Sequence, residues 1–344
     1  MNTTTQPLRL AGDIDVLLSH MVLWGLAAIC EDTGERVVRA GWSDDADPRP
    51  QLRMSGDGTD RVGEIVREHA ARHAAEGSWL HQKISVAANG SGEVALGAPR
   101  TAPPANEEVW GRVDAAHRAM LDALPTRLDQ RMQPGLGYRS WWATGPTGKI
   151  RADKGCNDWE MRTRNRGSDV VTHRLLPLAQ EVSSWEPSRI MGGLLGETVD
   201  DRVGKNVADS RSGTGFALPG PVDNARAWCA LWGLTLVPVL PQAITGGRSP
   251  ATLSRGDVPG AARRHLVMFA SPRLLSVARA RTVLRSSHLP KAAVPEAEDA
   301  AGRAEAIAWC RAQGIEVVLR FPVNITGSKT FPERQALRGK AVPL

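Results

Sequence analysis

Gly12-Asp13-Ile14-Asp15-Val16-Leu17-Leu18-Ser19-His20-Met21-Val22-Leu23-Trp24-Gly25-Leu26-Ala27-Ala28-Ile29-Cys30 reads as a helix that is apolar on most of its faces. Ile14, Leu17, Leu18, Met21, Val22, Leu23, Leu26, Ala27 and Ile29 occupy nearly the whole helical circumference, the pattern of a helix inside a core rather than on its surface. Asp13 and Asp15 at its start suit the free amides and the positive end of the helix dipole. Gly34 ends the helix, and Val37 to Trp42 reads as a strand.

Working outward, Asp57 to Glu76 is a second helix with Val62, Ile65, Val66 and His69 on one face. Residues 83–98 read as a hairpin around Asn89-Gly90, and Glu107 to Leu124 as a helix beyond a Pro-rich break. From Arg127 to Arg211 apolar periodicity fades. One helix, Val170 to Ser183, is expected there, interrupted by Pro177, and the rest reads as long ordered loops, which in compact proteins carry function. Periodicity returns with Pro221 to Trp232, a helix with Gly233 as its stop. Leu234 to Leu240 and His265 to Ala270 read as strands, Pro272 to Ser286 and Ala300 to Gln313 as helices, Ile315 to Phe321 as a strand, and the tail from Thr326 as extended. The predicted class is α+β, mixed and irregular, without regular βαβ alternation. The expected division is an N-terminal portion (1–126), a loop-rich basic middle (127–215) and a C-terminal portion (216–344).

The 344 residues carry 43 Lys and Arg against 37 Asp and Glu, a net charge of +6, and 36 of the basic residues are Arg. Guanidinium groups grip phosphate in a planar fork, which suits a nucleic-acid partner. The charge is not evenly spread. Residues 243–291 hold nine basic side chains, Arg263 and Arg264 among them, and one carboxylate, Asp257, a local net charge of +8 in 49 residues. A second cluster lies in the middle, where Arg139, Trp141, Trp142, Lys149, Arg151, Lys154, Trp159, Arg162, Arg164, Asn165 and Arg166 interleave aromatics with basic groups. In an extended Met161-Arg162-Thr163-Arg164-Asn165-Arg166, the three Arg fall on one side, able to follow a phosphate backbone, and Asn165 falls on the other, able to meet a base edge. The bland alternative pairs this row with Asp158, Glu160 and Asp169. Lys205 and Asn206, followed by Arg211, form a polar turn rich in phosphate donors, as do residues 326–330.

Enzyme signatures are weak. Ala143 to Ile150 lacks the leading Gly and trailing Ser or Thr of a P-loop. His69 and His73 have helical spacing but no Glu follows the first, and a surface pair is expected. Asp158 and Glu160 bracket Trp159, the one arrangement compatible with a metal-dependent nuclease. Cys30, Cys156, Cys229 and Cys310 form no CxxC pair and show no zinc-ligand spacing. No metal site, cofactor or catalytic residue is expected. No apolar run reaches about 18 residues and Met1 to Leu10 is polar, so a reduced, cytoplasmic protein without a membrane partner is expected.

Three segments carry a resemblance: Gly12-Asp13-Ile14-Asp15 with Leu17-Leu18-Ser19-His20; Trp159 to Gly167; and Pro219-Gly220-Pro221-Val222-Asp223-Asn224 with Ala227-Trp228-Cys229-Ala230-Leu231-Trp232-Gly233. Together they resemble the small CRISPR-associated subunit family of type I-U (I-G) systems, which takes the place of the large Cascade subunit. The resemblance implies a non-catalytic subunit that sits on crRNA ribonucleoprotein backbone subunits. It implies binding of target double-stranded DNA beside a short motif, stabilisation of the R-loop, and recruitment of the CRISPR helicase-nuclease. The rival expectations are a nuclease centred on Asp158 and Glu160, and a basic scaffold docking an acidic protein.

Overall fold

The computed structural model describes residues 6–34, 37–56, 58–138, 143–144, 148, 150–151, 156–161, 169–210, 214–239, 249–294, 299–327 and 332–344. Its helices are α1 (Leu17–Asp32), α2 (Val62–Ala74), α3 (Glu107–Asp122), α4 (Arg127–Leu136), α5 (Leu176–Ser183), α6 (Pro187–Leu195), α7 (Asn224–Trp232), α8 (Val277–Arg285), α9 (His288–Ala293) and α10 (Ala300–Ala312). Its strands are β1 (Leu8–Arg9), β2 (Val38–Trp42), β3 (Pro50–Met54), β4 (Lys83–Ser85), β5 (Glu93–Ala95), β6 (Ala143–Thr144), β7 (Ile150–Arg151), β8 (Thr252–Leu253), β9 (His265–Ala270), β10 (Val317–Gly327), β11 (Pro332–Ala336) and β12 (Lys340–Pro343). The class is α+β, as the sequence predicts.

Every residue of α1 from Leu17 to Cys30 is buried. α7 lies along it, joined by β2, β3 and α2. The two backbones meet through glycine: a Cβ at Gly25 would overlap the carbonyl oxygen of Cys229 and stand 2.7 Å from the Gly233 nitrogen. Only a residue without a side chain permits that approach. Asp13 and Asp15 do not cap α1. Val16 holds the N-cap position without a side-chain bond. Asp13 instead meets Arg49 at 2.6 Å, and Asp15 accepts from Arg338 at 2.6 and 2.8 Å. The acids fasten the entry of α1 to distant parts of the chain.

Two antiparallel sheets flank this helix pair. One has the order β1-β3-β2. In the other, the long β10 pairs with β9 along Val317–Pro322 on one edge, and with β12 and then β11 on the opposite edge; β8 extends the sheet beyond β9. One contiguous hydrophobic core runs through the molecule, with residues from Leu10 to Ala336 and from all three expected portions of the chain.

The middle stretch is less loop-like than expected. α4 and α6 lie within it, and α5 and α6 pack on α2. Their apolar periodicity is interrupted by Pro134 and Gly135 in α4, and by Gly192 and Gly193 in α6, which hid short helices that are held by tertiary burial. Of the strand expected at Leu234 to Leu240, the described residues 234–239 form none: Gly233–Leu236 make a 3₁₀ turn that continues α7 beneath α1. Burial on all sides removes the periodicity that separates strand from helix in a short run.

His69 and His73 correct the expectation of a surface pair, because both are buried. His73 sets Nε2 2.7 Å from Asp129 and Nδ1 2.7 Å from the His69 carbonyl, so both nitrogens face acceptors. Trp79 also donates to Asp129, at 2.9 Å, and Trp228 donates to His69 Nδ1 at 3.2 Å. Burial pushes the Asp129 carboxyl up, but the His73, Trp79 and Thr126 donors outweigh it and hold it below its ordinary value. This network gives Asp129, both His73 nitrogens and His69 Nδ1 hydrogen-bond partners inside the core.

Candidate nucleic-acid interface

The expected contact residues divide into two groups. Arg139, Trp142, Lys149, Lys154, Arg162, Arg164, Asn165, Arg166 and Arg211 lie outside the described residues. Arg151 is described in its backbone alone, as the strand partner of Ala143. Lys205, Asn206, Arg263 and Arg264 are placed in full.

Each of the three acids set against the arginine row has a described partner of its own. Asp158 pairs with Arg264. Asp169 accepts from the amides of Val171 and Thr172 at 2.9 and 3.0 Å, starting the helical turns that lead into α5. Glu160 is 1% exposed and lies between two buried guanidinium groups. Arg100 reaches it at 2.8 and 2.9 Å, and Arg174 pairs with its other oxygen. Burial and the neighbouring Arg100 pull Arg174 down to about 9. Asp158 and Glu160 therefore point to different partners, one at the surface and one in the core. Among the described residues no three His, Cys, Asp or Glu side chains gather into a possible metal site. The geometry does not favour a nuclease centred on these two carboxylates. Trp159, read as a stacking aromatic, is fully buried and donates to the Pro250 carbonyl at 2.9 Å.

The 201–210 turn is organised by the buried Asp201. Its carboxylate accepts from Gly204 N (2.8 Å), Ser210 Oγ (2.6 Å) and Asn224 Nδ2 (3.0 Å). Lys205 and Asn206 take φ of 64° and 52° over this knot. The Asn206 Oδ1 is used inside the turn, accepting from Asp201 N at 2.6 Å. Lys205 and Asn206 are both exposed, and the Asn206 amide nitrogen stands 3.5 Å from Asp200 Oδ1.

The described part of the basic stretch keeps its charge at the surface. Arg255, Arg263, Arg264, Arg273, Arg279, Arg285 and Lys291 are all exposed. Its only carboxylate, Asp257, is used locally, accepting from Ser254 N at 2.6 Å in a capping box. On α8, Val277, Ala280, Val283 and Leu284 are buried, which turns Arg279 and Arg285 outward. Burial together with Arg131 of α4 and Arg285 pulls Arg281 down to about 10, the signature of crowded cations.

Below this stretch lies a cleft of about 350 Å³ between the loop at 258–263 and the sheet, with Arg263, His265, Arg320, Pro322 and Lys340 on its walls. Register builds it: Arg320 stands opposite Lys340 on β12, and Pro322 opposite His265 on β9. Among the described residues no carboxylate lines it. Arg320 and Lys340 were not among the expected contacts. The one signal for them was a single guanidinium in the apolar run Val317-Val318-Leu319-Arg320-Phe321.

No protein-family model matches this chain, and no curated protein matches it. Among the described residues no helix is long and apolar enough to cross a membrane.

Proposed function

We propose that the chain is a non-catalytic, cytoplasmic subunit of a type I CRISPR Cascade-like ribonucleoprotein. In this role it binds target double-stranded DNA beside the crRNA backbone subunits, stabilises the R-loop next to a short motif, and helps recruit the helicase-nuclease. The observation that carries the reading is the exposed cationic stretch from Arg255 to Lys291, whose one acid is consumed by a cap. Such a surface supplies sequence-independent phosphate contacts, which position a protein on a duplex while guide pairing reads the sequence. The resemblance supports the finer assignment. Two of its three segments meet in the packed pair α1 and α7, and Arg226 of α7 donates to the Ala11 carbonyl at 3.3 Å beside the start of the first segment.

Replacing Arg162, Arg164 and Arg166 together with Ala is expected to weaken duplex binding and to reduce the log–log salt slope by about 3, one unit per lost phosphate contact. Thermal unfolding should stay at the wild-type temperature. Anisotropy titrations of a labelled duplex at several salt concentrations measure both. Wild-type affinity and slope in the triple variant would remove this row from the interface and leave the 255–291 stretch as its seat.

A further inference from the structure

Arg320 is a costly residue to place where it is. It sits in the middle strand of the larger sheet, flanked by Val267 of β9 and Lys340 of β12. Its Nε and Nη1 are buried and have no hydrogen-bond partner among the described residues. His265 Nδ1 is in the same condition. Buried donors left unpaired in a folded protein point to a missing partner. Among the described residues, the cleft they border carries three cationic side chains, Arg263, Arg320 and Lys340, and no acid. Its remaining wall, 258–262 with Pro322, is small and largely apolar.

We propose that this cleft binds a phosphate monoester, held by Arg320 and Lys340 from the sheet and by Arg263 from the overhanging loop. A terminal phosphate carries close to two charges at neutral pH, because its second ionisation falls near pH ~6. A phosphodiester inside a strand carries one. Three cations without a counter-acid match the dianion better. The volume exceeds that of one phosphate and leaves room for the attached sugar along the apolar wall. For the identity of the ligand as a nucleic-acid strand end, the proposal rests on the nucleic-acid reading above. A free nucleotide offers the same group.

The test compares a ten-nucleotide single strand bearing a 5′-phosphate with its 5′-hydroxyl twin, and adds inorganic phosphate and a mononucleotide as separate probes, all at pH 7.5. Binding is followed by anisotropy or calorimetry and by the His265 ring-proton NMR signal. Burial, Arg320 and Lys340 hold the His265 imidazole below its ordinary value, and an anion in the cleft should raise it. The phosphorylated strand should bind about tenfold tighter than its twin, the worth of a charge-assisted contact. The ratio should fall to about one in Arg320→Met and in Lys340→Gln. Lys340 is exposed, so its variant keeps the test valid if Arg320→Met fails to fold. Binding of inorganic phosphate or the mononucleotide with a Lys340-dependent shift of His265, but no preference for strand ends, would support the pocket and assign it to a free monoester. Equal affinity for both strands together with an unmoved His265 signal in every probe would overturn the proposal. Persisting duplex affinity in that case would leave the nucleic-acid reading standing.

Discussion

Glu160→Ala is expected to lower stability by about 3–5 kcal/mol, the cost of stranding a buried charge. Arg100 and Arg174 are 3% and 0% exposed at their side chains, and Glu160 is the carboxylate between them. Arg174 also donates to the Met161 carbonyl, so the same guanidinium anchors the backbone where the arginine row begins. Removing the carboxylate leaves two cations facing each other in the core, a situation that neither solvent nor rotamer change relieves. Asp158→Ala is the matched control. Its partner Arg264 is 43% exposed at the side chain, so the loss should stay within about 1 kcal/mol. Urea unfolding of both variants measures the contrast. A Glu160→Ala protein with wild-type stability would contradict the structural role and return the two carboxylates to the nuclease reading.

Acidification from pH 6.5 to about 4 is expected to cost about 3 kcal/mol through His20 alone. His20 is fully buried against Trp42 and Phe321, donating from Nε2 to the Ile14 carbonyl at 2.7 Å. Burial drops its imidazole to about 4, although the Ile14 carbonyl and Asp15 pull the other way. His69 is held well below 6.5, first by burial and then by His73 and Arg72. The sign follows from proton uptake. Below pH 6.5 the unfolded chain binds protons that the folded His20 and His69 refuse, so unfolding is favoured progressively. Above 6.5 both states are neutral at these positions and the contribution is fully kept. Urea midpoints at pH 7.5, 6 and 5 measure the slope, and His20→Gln, which keeps a donor for Ile14, should flatten it. A midpoint that does not move over this range would contradict the account of His20.

What was legible in the sequence follows physical strength of signal. β9 is His265–Ala270 in the reading and in the structure, because a short apolar run there is bounded by polar residues on both sides. α10 was legible from its Ala-rich run and the left-handed Gly314 beyond it. β1 and β3 were missed: two residues carry no periodicity, and in Pro50-Gln51-Leu52-Arg53-Met54 the alternation that signals a strand is short and opens on a proline. At the candidate site, Arg263 was legible from local charge density. Arg320 and Lys340 were not, since the register of β10 with β12 joins residues 20 positions apart and no local pattern encodes that meeting. Trp159 shows the opposite error, in which a residue type suited to stacking on bases serves the core.

Whether the exposed guanidinium surface binds a polyanion is decided by the salt dependence of duplex DNA binding to the wild-type chain. Five to six phosphate contacts predict a log–log slope of about −5. An affinity that stays level as salt rises, or no duplex binding at low salt, would contradict it.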